Sequence, residues 1–302
     1  MSLSDRIKKP LVIVNPMANG GRALERCEPV IYSLRSAGFN CDVKIPGTRE
    51  ETIDIVRKDR MHEFIIVYSG DGGVNAAMKG LMQNKHRKDK VLVPLPGGSA
   101  NNIAEECGYG SLDNVCDSLI NGTEEEMGVW RVNEDEEYFL GFASIGFGAA
   151  VLEERNKERF FKGKMAYVAG ALRTIFRYTP KNMWLKIDKE EVDKDVYIGI
   201  ISNIRFYGDR MMIAPYAKAD GDFMDLCFME SLGTIIQNLP AVYNGKHIDN
   251  KGVYHAKARS LIADSSEKFQ LEIDGESRGE HNRLVTEYAG RIRVLVFNGS
   301  SY

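Results

Sequence analysis

The chain has 302 residues, 43% of them hydrophobic and 27% charged, a globular composition that excludes a mainly disordered protein and suggests two domains. The formal net charge is −3, so no global field draws nucleic acid, and no nucleic-acid partner is expected. Five cysteines without a CxxC spacing and five histidines without an HExxH pattern point away from disulfides and zinc and toward a reduced, cytoplasmic protein. No apolar run approaches the ~20 residues of a membrane span, and the opening MSLSDRIKKP lacks a signal-peptide core. A soluble or at most peripheral protein is expected.

The first half alternates between strand and helix patterns. Pro10–Asn15, Asn40–Ile45, Phe64–Tyr68 and Val91–Leu95 read as strands; Arg22–Ala37, Glu50–Arg60, Val74–Met82 and Asn102–Cys107 read as helices, the first stopped by Gly38. Continuous apolar strands between helices predict a parallel sheet covered on both faces. After about Gly122 the pattern changes. Met127–Val132, Tyr138–Ile145, Trp184–Ile187, Val196–Ser202, Phe223–Met229, Val253–Ile262 and Phe269–Ile273 read as strands, interrupted by one long helix over about Lys162–Arg177. This half predicts an antiparallel β-sandwich or split barrel. Arg291–Phe297 is again strand-like.

Two glycine-rich segments follow strands and precede helices: Ser69-Gly70-Asp71-Gly72-Gly73 and Pro96-Gly97-Gly98-Ser99-Ala100-Asn101-Asn102. Without a Cβ the backbone can approach an anion closely, and the helix start beyond supplies N–H groups and partial positive charge. Asp71 would repel phosphate unless it holds Mg²⁺, bonds a ribose or accepts a loop amide. Asn102 with Glu105 resembles a capping box, and Ser99 offers a hydroxyl. Either segment alone could be a plain tight turn; two on successive strands favour a nucleotide site. Neither is a Walker A or GxGxxG sequence, and Gly146-Phe147-Gly148 lacks the third glycine of that fingerprint.

Six elements in order resemble the bacterial diacylglycerol kinase family, which includes sphingosine and ceramide kinases and shares its N-terminal fold with NAD kinases. They are Asn15-Pro16 with Gly20-Gly21 (N-P-x-x-G), Ser69–Gly73 (GGDGT), Gly98–Asn102 (GTxND), Gly146–Val151 (GxGxDAxV), Ser202-Asn203 through Tyr207-Gly208 to Asp220-Gly221, and Asp274-Gly275-Glu276 (DGE). Ser69 stands for the first glycine of GGDGT and Gly73 for its threonine. Asn102 stands for the aspartate of GTxND, and other acidic positions of the family are uncharged here.

The resemblance implies an NAD kinase-like α/β nucleotide domain over residues 5–125, completed by 291–302, and a C-terminal β-sandwich domain over 126–290. It implies an ATP- and Mg²⁺-dependent kinase acting on a lipid hydroxyl, that of diacylglycerol or a related lipid. ATP would be held by Asn15, Thr48, Ser69, Gly70, Asp71, Gly72, Gly73, Val74, Asn75, Gly98, Ser99, Asn101 and Asn102. Asp274 and Glu276 would supply the general base, with Asp274 taken first. Ala217, Asp220 and Asp222 would hold a structural Mg²⁺ through oxygen atoms. Without the resemblance, the turns at Asp220 and Asp274 read as a plain turn and a hairpin turn. The missing acidic positions keep open a non-catalytic nucleotide- or lipid-binding protein, and the shared fold keeps open a soluble small-molecule kinase of the NAD kinase type. A lipid substrate implies peripheral contact with the inner membrane surface. Arg155, Lys157, Arg159, Phe160, Phe161, Lys162 and Lys164 form a basic-aromatic cluster that could serve that contact; the residues alone favour a solvated helix entry with the two phenylalanines in a core or homodimer contact.

Overall fold

A computed structural model describes residues 6–112, 115–133, 137–157, 178–208 and 210–297. The long helix expected over Lys162–Arg177 and most of the basic-aromatic cluster, Phe160 and Phe161 included, lie outside the described residues. The chain divides into two compact units, one of residues 1–127 with 291–302 and one of residues 128–290.

The first unit carries a parallel sheet. Its strands are β1 (Leu11–Val14), β2 (Asp42–Lys44), β3 (Phe64–Ser69) and β4 (Val91–Pro96), in the order β2-β1-β3-β4. Helices α1 (Ala23–Ser36), α2 (Arg49–Lys58), α3 (Asp71–Met82), α4 (Asn102–Glu106) and α5 (Val115–Asn121) alternate with them. All of β1 and β3 is buried, which explains why these strands are apolar throughout rather than alternating. The chain then continues through β5 (Thr123–Val132) into the second unit.

The sheet ends on residues from the far end of the chain. Arg293 and Val294, in the final strand, pair in parallel with Val91 and Leu92 of β4. The pairing stops before Pro94, which has no N–H to give a second neighbour. Glu124 ties this returning segment down by accepting ion pairs from Arg6 and Arg293.

The second unit is antiparallel and β-sandwich-like. Strands β6 (Glu137–Phe139), β7 (Phe142–Gly146), β8 (Lys181–Ile187), β9 (Glu190–Val196), β10 (Ile198–Ser202), β11 (Met224–Met229), β12 (Val253–Ala258), β13 (Ser260–Ile273) and β14 (Glu276–Val296) follow β5. One path runs β12-β11-β10-β7-β13-β14, while β8 pairs with β13 and β9, and β5 with β14 and β6. Trp130, Phe139, Phe228 and Phe269 fill the core together with aliphatic side chains. Helices α6 (Phe147–Lys157) and α7 (Leu232–Asn238) are inserted between strands. The cysteines Cys27, Cys41, Cys107, Cys116 and Cys227 are all unpaired. No helix among the described residues is long and apolar enough to cross a membrane.

Several expected elements change at identifiable residues. Tyr138–Ile145 is two strands, because Leu140 and Gly141 turn their N–H groups to Asp274. Val253–Ile262 breaks at Arg259, whose N–H goes to the Asp188 carboxylate. The helix expected from Val74 starts three residues earlier, at Asp71. The expected capping box is absent: Asn101, in the left-handed region at φ 59°, precedes the helix, and Asn102 is its first residue.

Candidate functional site

The first unit gathers most of the nucleotide-contact residues read from the sequence at the carboxyl ends of β1, β3 and β4. The Ser69–Gly73 segment is mainly the start of α3, with Gly70 as N-cap and the N–H groups of Gly73 and Val74 bonded to its carbonyl. The second segment packs against it backbone to backbone. The Gly97 N–H donates to the Ser69 carbonyl at 2.9 Å. A Cβ at position 97 would lie 2.8 Å from the Ser69 nitrogen, and one at 98 only 2.5 Å from the Gly70 Cα. These two glycines are therefore fixed by the packing of one turn on the other. Asn101 closes the second turn, accepting from the Gly98 N–H at 2.6 Å and donating to the Gly98 carbonyl at 3.1 Å. Ser99 is exposed at its tip.

Asp71 clasps the two turns. It is 7% exposed. One carboxylate oxygen accepts from the backbone and side-chain N–H of Asn102, both at 3.1 Å, and the other from the Ile103 N–H at 2.9 Å. Burial pushes its pKa up, opposed by these N–H donors. Of the three uses open to Asp71 from sequence, the loop-amide use is the observed one. Three protein N–H donors fill most of the acceptor positions of this carboxylate.

Position 73 explains another departure from the GGDGT pattern. A Cβ on Gly73 would lie 2.0 Å from the Ser69 Oγ. The hydroxyl side chain at 69 therefore fills the space that a side chain at 73 would need. That hydroxyl accepts from Asn15 Nδ2 at 3.2 Å, and Asn15 Oδ1 accepts from the Met17 N–H at 3.0 Å. Val74 and Asn75 are buried within α3. Thr48 caps α2 through Oγ1, which accepts from the Glu51 N–H at 3.1 Å. The next residue, Arg49, was not read as a site residue. Its guanidinium donates to Asn75 Oδ1 at 2.7 Å. The T-x-x-E pattern from Thr48 to Glu51 was the available signal for a helix start that would place Arg49 there.

In the second unit, Asp274 and Gly275 form a two-residue hairpin turn with φ 45° and 81°, joining the paired residues Ile273 and Glu276. Asp274 has no exposed surface. Its carboxylate accepts from the N–H groups of Leu140, Gly141 and Phe142, each at 2.9 Å. Glu276 is different: its side chain is 37% exposed and pairs with Arg278 at 3.1 Å. Two strand positions before Asp274, the buried Glu272 accepts from Ser144 Oγ at 2.6 Å and Tyr207 OH at 3.2 Å. Gly148 leaves room for that phenol, since a Cβ there would lie 2.6 Å from the Tyr207 oxygen. The Gly146-Phe147-Gly148 segment thus serves local packing. Asn203 is also structural, donating to the Gly128 and Leu140 carbonyls and accepting from Trp130 Nε1.

Ala217 is buried, while Asp220 and Asp222 are exposed on a turn closed by the Gly221 N–H on the Lys218 carbonyl. A solvent-facing carboxylate with backbone carbonyls is a donor set chemically suited to a hard cation such as Mg²⁺. Among the described residues, no three His, Cys, Asp or Glu side chains converge as a metal cluster.

Comparison with known proteins places both units. Residues 9–132 match the diacylglycerol kinase catalytic domain, and residues 141–296 the YegS C-terminal NAD kinase beta sandwich-like domain. A Shewanella frigidimarina protein named "Probable lipid kinase YegS-like" is 28% identical over 88% of each chain. A diacylglycerol kinase of Bacillus subtilis is 22% identical over 90% of this chain and 91% of its own. In fold, the chain is similar to a diacylglycerol kinase from Bacillus anthracis, with a TM-score of 0.71 at 18% identity over 97% of each chain. It also resembles an Archaeoglobus fulgidus NAD kinase solved in complex with ATP, with a TM-score of 0.50 at 11% identity over 96% of this chain and 94% of that one.

Proposed function

Because the chain belongs to the diacylglycerol kinase and YegS-like lipid kinase family, we propose that it transfers the γ-phosphoryl group of ATP to the hydroxyl of diacylglycerol or a related lipid. The observation that carries this reading is the pair of close-packed turns at the start of α3. There, the positive end of a 12-residue helix lies at the carboxyl ends of parallel strands.

In the reaction the lipid oxygen forms the new bond to the γ-phosphorus, the bond to the β–γ bridging oxygen breaks, and ADP leaves. Glu276 takes the hydroxyl proton, because its carboxylate reaches solvent. Asp274 holds the Leu140–Phe142 backbone in place. This reverses the order of preference that the sequence suggested between the two carboxylates, since a base must come within reach of the proton it accepts. Asp71 keeps the two nucleotide turns together. Magnesium, when bound to the nucleotide, shields phosphate charge; Asp220 with the carbonyls of Ala217 and Asp222 would hold a separate structural ion. The protein acts at the cytoplasmic face of a membrane that presents its substrate.

The test is transfer of labelled γ-phosphate from ATP to a panel of lipids in mixed micelles and to soluble alcohols. A labelled lipid product supports the reading. Transfer only to a soluble acceptor supports a kinase of the NAD kinase type instead. Nucleotide binding without any product supports a non-catalytic binder, a second reading favoured by Asp71 being engaged and by Asn102 carrying no charge.

A further inference from the structure

We infer that Arg49 supplies the fixed positive charge for the nucleotide phosphates in the first unit, in the place where a protein-held magnesium ion would otherwise do so. The inference rests on the nucleotide-site reading above and concerns how that site handles charge.

Three observations carry it. First, the one carboxylate of the turns is already engaged by the protein. Both oxygens of Asp71 are occupied by N–H donors, and the neighbouring polar side chains Asn15, Asn75, Asn101 and Asn102 are neutral amides. An amide oxygen can accept a hydrogen bond, but it brings no charge to offset a divalent ion. Second, across residues 15–18, 48–52, 69–75 and 96–102 the sequence contains a single Lys or Arg, Arg49.

Third, the fold puts that cation at the correct end. Arg49 bonds to Asn75, in the second turn of α3, while a Cβ on Gly80 would lie 2.6 Å from the Ile53 carbonyl and 2.8 Å from Val56 Cβ. The contacts advance together along both helices, so α2 and α3 run side by side in the same direction. Their N-termini share one end of the unit, and Arg49 lies about one turn along α3 from the Asp71–Gly73 backbone. Asn75 engages one N–H of the half-buried guanidinium, a planar group whose donor fork matches phosphate. Of the two acids that directly follow Arg49 on α2, Glu51 is turned back to accept from the Gly47 N–H at 2.7 Å, and Glu50 is exposed to solvent.

The experiment measures binding of adenosine, AMP, ADP and ATP to the full chain by calorimetry, with Mg²⁺ and with EDTA. Wild type is expected to prefer ATP over AMP and to keep that preference in EDTA. Arg49→Gln retains an N–H donor for Asn75 but no charge. It should weaken ATP by about tenfold or more, the worth of a charged hydrogen bond, and leave adenosine unchanged. Arg49→Lys should restore part of the loss. A purely structural role for Arg49 would weaken all four ligands alike. The inference is overturned if Arg49→Gln keeps the wild-type ratio of ATP to AMP affinity, or if EDTA removes the preference from wild type. If wild type binds none of the four, the nucleotide-site reading falls, and this inference with it.

Discussion

Replacing Gly73 with alanine would place a methyl group 2.0 Å from the Ser69 Oγ and 2.6 Å from its Cβ. Ser69 is 2% exposed at the end of β3 and bonded to Asn15, so it cannot swing aside freely. Overpacking of this kind costs about 1–3 kcal/mol, against a gain of roughly 0.5–1 kcal/mol for alanine over glycine within a helix. The net expectation for Gly73→Ala is a loss of about 1–2 kcal/mol. Ser69→Gly gives up the Asn15 hydrogen bond, worth about 1 kcal/mol, and introduces glycine into a strand, a further cost of roughly 0.5 kcal/mol. Combining the two removes the clash but keeps the helix gain. The double variant should lie within about 1 kcal/mol of wild type, a coupling of roughly 2 kcal/mol between the two positions. Urea unfolding followed by far-ultraviolet circular dichroism, with hydrogen exchange over α3, measures it. Tryptophan fluorescence is unsuitable, because Trp130 and Trp184 both lie in the second unit. Additive losses would refute the idea that the hydroxyl at 69 occupies the space of a side chain at 73.

Other perturbations separate the carboxylates and the buried histidine. Asp71→Asn replaces an acceptor with a donor facing the Asn102 and Ile103 N–H groups. It should destabilise the first unit by about 1–3 kcal/mol and speed hydrogen exchange in α4. Asp274→Asn keeps a residue tolerant of positive φ but misdirects the Leu140–Phe142 bonds, so the second unit should melt at lower temperature. His247 is fully buried and its pKa is lowered, mainly by desolvation, with backbone hydrogen bonds opposing the shift. The unfolded chain therefore binds the proton more readily. The stability that His247 contributes should be complete above the ordinary histidine value of 6.5 and decline as pH falls below it toward the folded value. Urea midpoints at pH 7.5 and 5.5 test this; the difference should shrink in His247→Gln, and an equal difference in both proteins would contradict it.

The sheet of the first unit was legible because β1, β3 and β4 are buried on both faces and hence apolar without interruption. The turn at Asp274-Gly275 was legible because those residue types favour the positive φ that a two-residue hairpin requires. Strand β9 was missed. Its sequence EEVDKDV forms an edge that, among the described residues, pairs only with β8, so most of its side chains face solvent and leave no apolar signal. Most of β14 was missed too, since 21 residues of mixed polarity change partners along the strand. The site was legible as two glycine turns, but their roles were not. Gly97 and Gly98 answer to the Ser69–Gly70 backbone, and Asp71 to amides 31 and 32 residues away. No local pattern encodes partners at such distances. Arg49 was invisible for the same reason, since its meaning depends on α2 lying beside α3.

The central claim is lipid phosphorylation with Glu276 as the proton acceptor, and single-turnover transfer from ATP to micellar diacylglycerol by wild type and Glu276→Gln tests it most directly. The expected result is a loss of about 10²–10⁴-fold in the transfer step, the range for removal of a general base, with ATP affinity and melting temperature unchanged. Transfer by Glu276→Gln within a few fold of wild type would contradict the assignment, and no transfer by wild type to any lipid would contradict the function itself.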